Sequence, residues 1–334
     1  MLVAMCLFTG FSTSKACTRI VYQSGENKTF TARTMDWQGN MKTNLWIFPR
    51  GIQRDGASGE GSVKWVSKYG SVISSAYDFA TADGLNEKGL SVNLLWLSAS
   101  KFPDRDAASK TMSLAIFPQY LLDTYATVSE AVTALNRREF IVLTGILPGD
   151  KNPAGIHLSL SDSSGDNAII EFISGKMVIH HDKGYTVLTN DPVFEEHLAS
   201  MSSFLAKDRK TVPGTYSSGD RFIRASYYTG RLPKVKDKHA ALAAVFAMIR
   251  GISVPRNKSN NTPTIWRTVM DHDGLVYHFE SGENPYNMFW VDLKEVDFSE
   301  NAPVMMLKIA DGKTYSGNAT ASFAASKPFA FFEV

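Results

Sequence analysis

The sequence predicts an α+β protein in which β-sheets pack against each other inside layers of helices. Two strand-rich blocks each adjoin a helical block, and no linker, repeat or low-complexity tract separates them. Sheets and amphipathic helices each bury an apolar face, so this succession favours a layered arrangement around shared cores. Periodicity alone does not define the order of the strands.

The first third of the chain predicts short strands separated by turns. TRIVYQS (18–24) and KTFTARTMDW (28–37) flank the turn GEN, and together they predict a hairpin. DGLNEKG (83–89) is rich in turn-forming residues, so we expect a turn there, followed by the buried strand LSVNLLWL.

Helical spacing of apolar residues appears in two later blocks. Residues 111–136 predict two helices, in MSLAIFPQYLLDTY and VSEAVTALNRR. Strands return as HLSLSD, AIIEFI, KMVIHH and YTVLTN, and a second helical group follows in FEEHLASMSSFLA, DRFIRASYYTGRL and KHAALAAVFAMIRGI. The C-terminal part, from TIWRTVMD to VMMLKIA, is strand-like again.

Composition argues against several kinds of partner. The formal net charge is +2 over 334 residues and Lys and Arg do not cluster, so we expect no nucleic-acid partner. Beyond the N-terminal segment, no apolar stretch is long enough to span a membrane. The sequence contains no phosphate loop and no dinucleotide fingerprint, and we expect no cofactor.

Residues 1–16 (MLVAMCLFTGFSTSKA) predict a secretory signal that is removed on maturation, leaving one domain over 17–334. Ser14 and Ala16 occupy the −3 and −1 positions of a cut before Cys17, although a basic N-terminal region is missing. Two other interpretations stay open. The segment is either a strand of the mature fold or a lipoprotein signal ending at Cys17, to which Lys15 is a poor fit.

Cys17 is a candidate for chemistry because it would be the only thiol of the mature chain. The other cysteine, Cys6, lies in the leader, so the mature protein could form no internal disulfide. Cleavage before Cys17 would also free its α-amine, whose pKa near 8 suits a base that takes the thiol proton.

Arg33 and Asp36, in TARTMDWQ, are the candidates that would support such a nucleophile. They lie at the end of a strand expected to pair with the strand that begins at Cys17. A cation favours the thiolate, and a carboxylate orients the amine. The alternative is that both side chains are solvated or form a turn.

Four sequence blocks together resemble the choloylglycine hydrolase family, which contains conjugated bile salt hydrolases and penicillin V acylases. The blocks are CTRIVY…TARTMDW, ADGLNEKGLSV, VLTNDPVF and GDRFIRASYY, in family order from 17 to 228. The resemblance implies an αββα four-layer sandwich and a cysteine N-terminal-nucleophile hydrolase that cleaves linear amides of small molecules.

The resemblance also implies roles for particular residues. The family nucleophile falls on Cys17, its active-site arginine and aspartate on Arg33 and Asp36, and its second arginine on Arg221 rather than Arg224. The asparagine of the TN-x-P motif falls on Asn190, where a side-chain N–H would serve the oxyanion hole.

Trp96 differs from the residue that many relatives carry at this position, and the difference bears on substrate preference. Many bile salt hydrolases carry an asparagine there, and gram-positive penicillin V acylases carry a tyrosine. A tryptophan resembles the gram-negative branch, which includes penicillin V acylases and N-acyl homoserine lactone acylases, and this implies a periplasmic location. Trp37 and Trp96 are either core residues or walls of the substrate pocket.

In gram-positive relatives, the segment between TNDPVF and RFIR contains a loop that helps tetramer assembly. That segment is short in this sequence, so whether the protein forms a homotetramer stays open. We expect no metal, because His180 and His181 would point to opposite faces of one strand.

Two rival functions remain. One is a papain-like hydrolase that needs a histidine, and the other is a lipid-anchored binding protein acylated on Cys17. Conjugated bile salts are the alternative substrate.

Overall fold

A computed structural model describes residues 17–147, 151–207, 211–256 and 262–334 of the chain. The predicted leader, residues 1–16, lies outside the described residues. None of the described helices is long and apolar enough to cross a membrane.

The described residues form twenty β-strands and five α-helices. The strands are β1 (Thr18–Gln23), β2 (Thr29–Asp36), β3 (Leu45–Phe48), β4 (Gln53–Asp55), β5 (Lys64–Val66), β6 (Ser71–Ala76), β7 (Ala80–Asn86), β8 (Ser91–Trp96), β9 (Lys110–Ser113), β10 (Phe140–Leu143), β11 (Ile156–Ser161), β12 (Asn167–Ile173), β13 (Lys176–His181), β14 (Val187–Leu188), β15 (Thr264–Asp271), β16 (Val276–Ser281), β17 (Met288–Asp292), β18 (Met305–Leu307), β19 (Ser316–Asn318) and β20 (Ala324–Ala325). The helices are α1 (Phe117–Thr124), α2 (Val128–Leu135), α3 (Phe194–Ala206), α4 (Ser218–Thr229) and α5 (Lys238–Ile252).

Two large sheets pack face to face between layers of helices. The first sheet has the strand order β14-β1-β2-β15-β16-β17-β19, and the second has the order β13-β12-β11-β8-β7-β6-β3-β18-β20. Helices α4 and α5 pack on the first sheet, where α3 packs against α4, and α1 and α2 pack on the second. One apolar core includes residues of both sheets, and a second lies between the second sheet and α1 and α2. This is the αββα sandwich that the sequence predicted.

Two buried arginines join the sheets through polar contacts. Arg19 and Arg33 face each other in the predicted hairpin of β1 and β2. Arg19 donates to Oδ1 of Asn167 at 2.6 Å, and Arg33 donates to the main-chain oxygen of Leu94 at 2.9 Å. A buried guanidinium is tolerated only where such acceptors surround it, so these contacts also fix the spacing of the sheets.

The turn predicted over residues 83–89 is wrong in its first half. Asp83 and Gly84 belong to β7, and the turn begins only after Asn86. Asp83 is accommodated in a buried strand because Tyr277 donates to it at 2.7 Å. A Cβ atom at Gly84 would come within 2.6 Å of Leu122, so the glycine permits the close approach of α1 rather than a turn.

The helix predicted from residue 111 begins later than expected. Residues 110–113 form β9, which pairs in parallel with β10, a strand that the sequence did not predict. Helix α1 starts at Phe117, with Pro118 in its first turn. Proline has no amide hydrogen and fits only that part of a helix, so it marks the true start.

Candidate active site

The candidate site lies where three segments of the first sheet and one helix meet. Cys17 immediately precedes β1, and Asp36 is the last residue of its partner β2. On the other side, β1 pairs with β14, and Asn190 follows that strand by two residues. Arg221 reaches the same point from the first turn of α4. The fold therefore brings these four sequence-predicted residues together.

The thiol of Cys17 is buried beside an apolar cleft that it helps to line. The residue is 2% exposed, and its Sγ lies 3.8 Å from Sδ of Met35 and 3.9 Å from the main-chain oxygen of Asp36. Burial raises the pKa of the thiol, and the positive charges of Arg33 and Arg221 oppose that rise. A base beside the sulfur is therefore needed to populate the thiolate near neutral pH.

Asn190 holds the main chain of Cys17. Its Oδ1 accepts the main-chain N–H of Cys17 and an N–H of Arg221, the latter at 3.1 Å. Its Nδ2 donates to the main-chain oxygen of Trp96 at 2.8 Å. Trp96 thus takes one of the two amide hydrogens of Asn190, and the second has no hydrogen-bond acceptor among the described residues.

Arg221 binds the first two residues of the described chain, Cys17 and Thr18. Its Nη1 donates to the main-chain oxygen of Cys17 at 2.6 Å and to the hydroxyl of Thr18. Burial lowers the pKa of Arg221, and the nearby Asp36 and Cys17 act in the opposite direction. Arg224 instead donates to the main-chain oxygens of Pro213 and Thr215, so the choice of Arg221 over Arg224 matches the geometry.

Arg33 approaches the site from between the sheets. Its guanidinium lies 4.9 Å from the ring centre of Trp266 and 3.7 Å from Oδ2 of Asp83. Asp83 also accepts from Asn93 at 2.8 Å, which fixes the carboxylate that faces Arg33. Sequence analysis missed this role of Asp83. Asp83 lies in ADGLNEKGLSV, one of the four blocks that resemble the family. The turn-forming residues of DGLNEKG predict a turn there, and this prediction concealed the role of the acidic side chain.

Asp36 is buried against two threonines rather than bonded to the nitrogen of Cys17. Thr34 donates to its Oδ2 at 3.2 Å, and Thr264 on β15 donates to its Oδ1. Burial raises the pKa of Asp36 to about 6, against the opposing effects of Arg221 and these hydroxyl groups. The expected direct contact between this carboxylate and the Cys17 nitrogen is not among the hydrogen bonds of the described residues.

Thr34 connects Asp36 to the start of β1 and was not predicted. Its hydroxyl accepts the main-chain N–H of Thr18 at 3.0 Å while it donates to Asp36. The available signal was the spacing of Thr34 and Asp36, because residues two apart on a strand share one face.

An apolar cleft opens beside Cys17. Trp37 and Trp96 are both half-buried and line it, with their ring centres 5.9 Å apart at an angle of 56°. The indole N–H of Trp37 donates to the hydroxyl of Tyr77 at 2.8 Å, and that of Trp96 donates to Ser98 at 3.1 Å. Both indole rings therefore line the cleft.

Histidine does not participate at Cys17. All seven histidines lie in the described ranges, yet none lines this cleft or bonds to the cysteine. His180 and His181 pair separately with Glu171 and Asp166. Within the described residues, no group of His, Cys, Asp and Glu side chains is arranged to hold a metal ion. The papain-like alternative lacks the histidine that it needs.

The chain belongs to the choloylglycine hydrolase family of linear amide C–N hydrolases, whose family model matches residues 17–306. It is 44% identical over 361 residues to a penicillin V acylase of Pectobacterium atrosepticum, covering 99% of this chain and 95% of that protein. The solved penicillin V acylase of Agrobacterium tumefaciens is similar, with 46% identity and a TM-score of 0.88 over 95% of this chain and all of that one.

More distant relatives include bile salt enzymes. A bile salt hydrolase/transferase of Bifidobacterium longum is 23% identical over 71% of this chain and 81% of that protein. The conjugated bile acid hydrolase of Clostridium perfringens shares the fold, with a TM-score of 0.75 at 18% identity over 87% of this chain and 97% of that one. These comparisons confirm the family that the four sequence blocks predicted.

Proposed function

We propose that this protein is a cysteine acylase that hydrolyses phenoxyacetyl amides such as penicillin V, with Cys17 as an N-terminal nucleophile. The observation that carries the proposal is that Cys17 lines an apolar cleft and lies close enough to Arg33 and Arg221 for both positive charges to lower the pKa of its thiol. The similarity to two penicillin V acylases supports the choice of substrate.

The first step uses the α-amine that removal of residues 1–16 would expose. The amine takes the proton of the thiol, and the sulfur attacks the amide carbonyl to form a tetrahedral oxyanion. The second amide hydrogen of Asn190 donates to that oxyanion. The C–N bond then breaks, the leaving nitrogen takes the proton from the amine, and an acyl thioester remains on Cys17.

Water completes the reaction by the reverse transfers. It adds to the thioester carbonyl and gives a proton to the amine, and the C–S bond breaks to release the acid and restore the thiol. Arg33 and Arg221 stabilise the thiolate in both halves of the cycle. The freed α-amine would keep Asn190 as its hydrogen-bond partner.

The cleft favours an apolar acyl group over a charged one. Trp37 and Trp96 offer two tilted aromatic faces next to Cys17, against which a flat phenoxy ring or an alkyl chain would pack. N-acyl homoserine lactones are therefore included among the acyl amides that we propose, and conjugated bile salts are the alternative. The maturation that the mechanism needs fits an exported, periplasmic protein with one catalytic domain over residues 17–334.

A hydrolysis panel tests the proposal. Penicillin V, long-chain N-acyl homoserine lactones and glycocholate are compared by release of the free amine, with Cys17→Ser as the matched control. We expect penicillin V or the lactones to show the highest kcat/KM and Cys17→Ser to be nearly inactive but folded. No turnover of any amide would contradict the acylase, and fatty-acid labelling of Cys17 would support the lipid-anchored alternative.

A further inference from the structure

A row of aromatic side chains in mutual contact lines the cleft beside Cys17. The indole of Trp37 bonds to Tyr77, whose ring centre lies 5.4 Å from that of Phe79. Phe79 in turn lies 5.6 Å from Phe332, and all four line the cleft. Phe332 is therefore separated from the Trp37 end by the rings of Tyr77 and Phe79.

Phe332 belongs to a segment after β20 that has no regular secondary structure but is tied down at several points. Its main-chain N–H donates to the oxygen of Phe79 at 2.9 Å, and its oxygen accepts from the hydroxyl of Ser113 at 2.7 Å. Val334 donates its N–H to Ala57 at 3.1 Å and receives a guanidinium N–H of Arg105 at 2.9 Å. A position held by these bonds gives Phe332 a defined place in the wall.

The opposite side of the cleft approaches Phe332 closely. A Cβ atom at Gly145 would lie 2.8 Å from the ring of Phe332 and 2.9 Å from the side chain of Val334. The close approach explains a glycine at this position, because a larger side chain would meet Phe332 and Val334.

Neighbouring phenylalanines of the same segment point elsewhere. Phe331 packs against Phe329, with ring centres 4.7 Å apart, and lies 5.6 Å from the guanidinium of Arg54. Both belong to the core between the second sheet and its helices rather than to the cleft. Of the aromatic residues in this segment, only Phe332 lines the described cleft.

We propose that Phe332 closes the far end of the acyl cleft and sets the longest acyl chain that the enzyme accepts. The inference rests on the proposed function, because it assumes that the acyl group extends from Cys17 into the cleft. A short phenoxyacetyl group would be held near Trp37 and Trp96 and would not reach Phe332. A long fatty acyl chain would meet its ring, so the two substrate types report on different parts of the cleft.

The test uses fatty acyl amides of one amine, from hexanoyl to dodecanoyl homoserine lactone, together with penicillin V. We expect Phe332→Ala to raise the ratio of dodecanoyl to hexanoyl kcat/KM on the order of tenfold, and Phe332→Trp to lower it. In both variants the kcat/KM for penicillin V should change less than that for the dodecanoyl amide. Phe331→Ala, a loss of the same ring one residue away, should leave the chain-length profile unchanged.

The possible failures are distinguishable. An unchanged profile in Phe332→Ala and Phe332→Trp, with normal penicillin V hydrolysis, would overturn this inference alone. An equal shift in Phe331→Ala would also overturn it, because general loosening of the segment would then explain the effect. Phe332→Leu replaces the alanine variant if that protein melts early. A parent that cleaves no acyl amide would overturn the proposed function and this inference with it.

Discussion

Asn190 accepts a hydrogen bond from the main-chain nitrogen of Cys17, although 173 positions separate the two residues in the chain. The same side chain donates to the main-chain oxygen of Trp96 and accepts from Arg221. Asn190 therefore links Cys17, Arg221 and Trp96, which lines the apolar cleft. Its orientation follows from these partners, because two donors face Oδ1 and a carbonyl faces Nδ2.

Asn190→Asp should separate the role of the Asn190 side chain as a hydrogen-bond acceptor from its role as a donor. The variant keeps an oxygen for Cys17 and Arg221 but loses the amide hydrogens that face Trp96 and the oxyanion. We expect kcat for penicillin V to fall on the order of 10²–10³-fold, with a smaller change in KM, because an oxyanion donor acts mainly in the transition state. A kcat near that of the parent would remove Asn190 from the oxyanion site.

Asp36→Asn should change both turnover and the pH dependence of stability. The folded pKa of Asp36 is raised from 3.8 to about 6, so folding favours the protonated carboxyl. The resulting stabilisation is complete below about pH 4 and is lost as the pH rises through 6. Asparagine cannot ionise, so the variant does not lose this stabilisation. The unfolding free energy of the variant minus that of the parent should therefore rise by roughly 2–3 kcal/mol from about pH 4 to about pH 7.

Denaturant unfolding of both proteins across this range measures that gain, and turnover of the variant should fall about 10²-fold or more. A difference in unfolding free energy that does not vary with pH would show that Asp36 keeps an ordinary pKa. Near-normal turnover would remove Asp36 from the catalytic set.

Asp83→Asn should destabilise the fold and disturb Arg33. Asn93, Thr268 and Tyr277 all donate to the Asp83 carboxylate, so an amide NH₂ at this position would face donors. Burial raises the pKa of Asp83, and Arg33 and the three donors oppose that rise and favour the carboxylate. The exchange would therefore also remove the opposite charge nearest to the buried guanidinium of Arg33, at a cost of roughly 3–5 kcal/mol. Unfolding experiments measure this cost. Asp166→Asn, in a partly exposed pair with His181, is the control and should cost less than about 1 kcal/mol.

These residues show what the sequence could and could not predict. Cys17, Arg33 and Asp36 were predictable because a two-strand hairpin is local, and its register places both strand ends together. Asn190 and Arg221 came from the resemblance, since their approach depends on long-range pairing of β14 and packing of α4. Thr264 and Asp83 were missed because their contacts cross between strands or sheets whose order periodicity does not define.

Trp96→Asn should change substrate preference. The indole walls the cleft beside Trp37, and its loss opens that wall and adds a polar group, while the main-chain oxygen that binds Asn190 is kept. We expect the ratio of penicillin V to glycocholate kcat/KM to fall by about tenfold, in line with a stacking loss of roughly 0.5–1.5 kcal/mol plus lost burial. Trp290→Asn, on an exposed tryptophan outside the cleft, should not move the ratio. An unchanged ratio in Trp96→Asn would make Trp96 a packing residue only.

The catalytic scheme depends on a free α-amine at Cys17. Intact-mass analysis of active protein recovered from the producing cell, combined with N-terminal sequencing, determines where the mature chain begins. We expect the active species to begin at Cys17, with residues 1–16 absent. Full activity in a protein that still carries Ala16 would contradict the amine as the base.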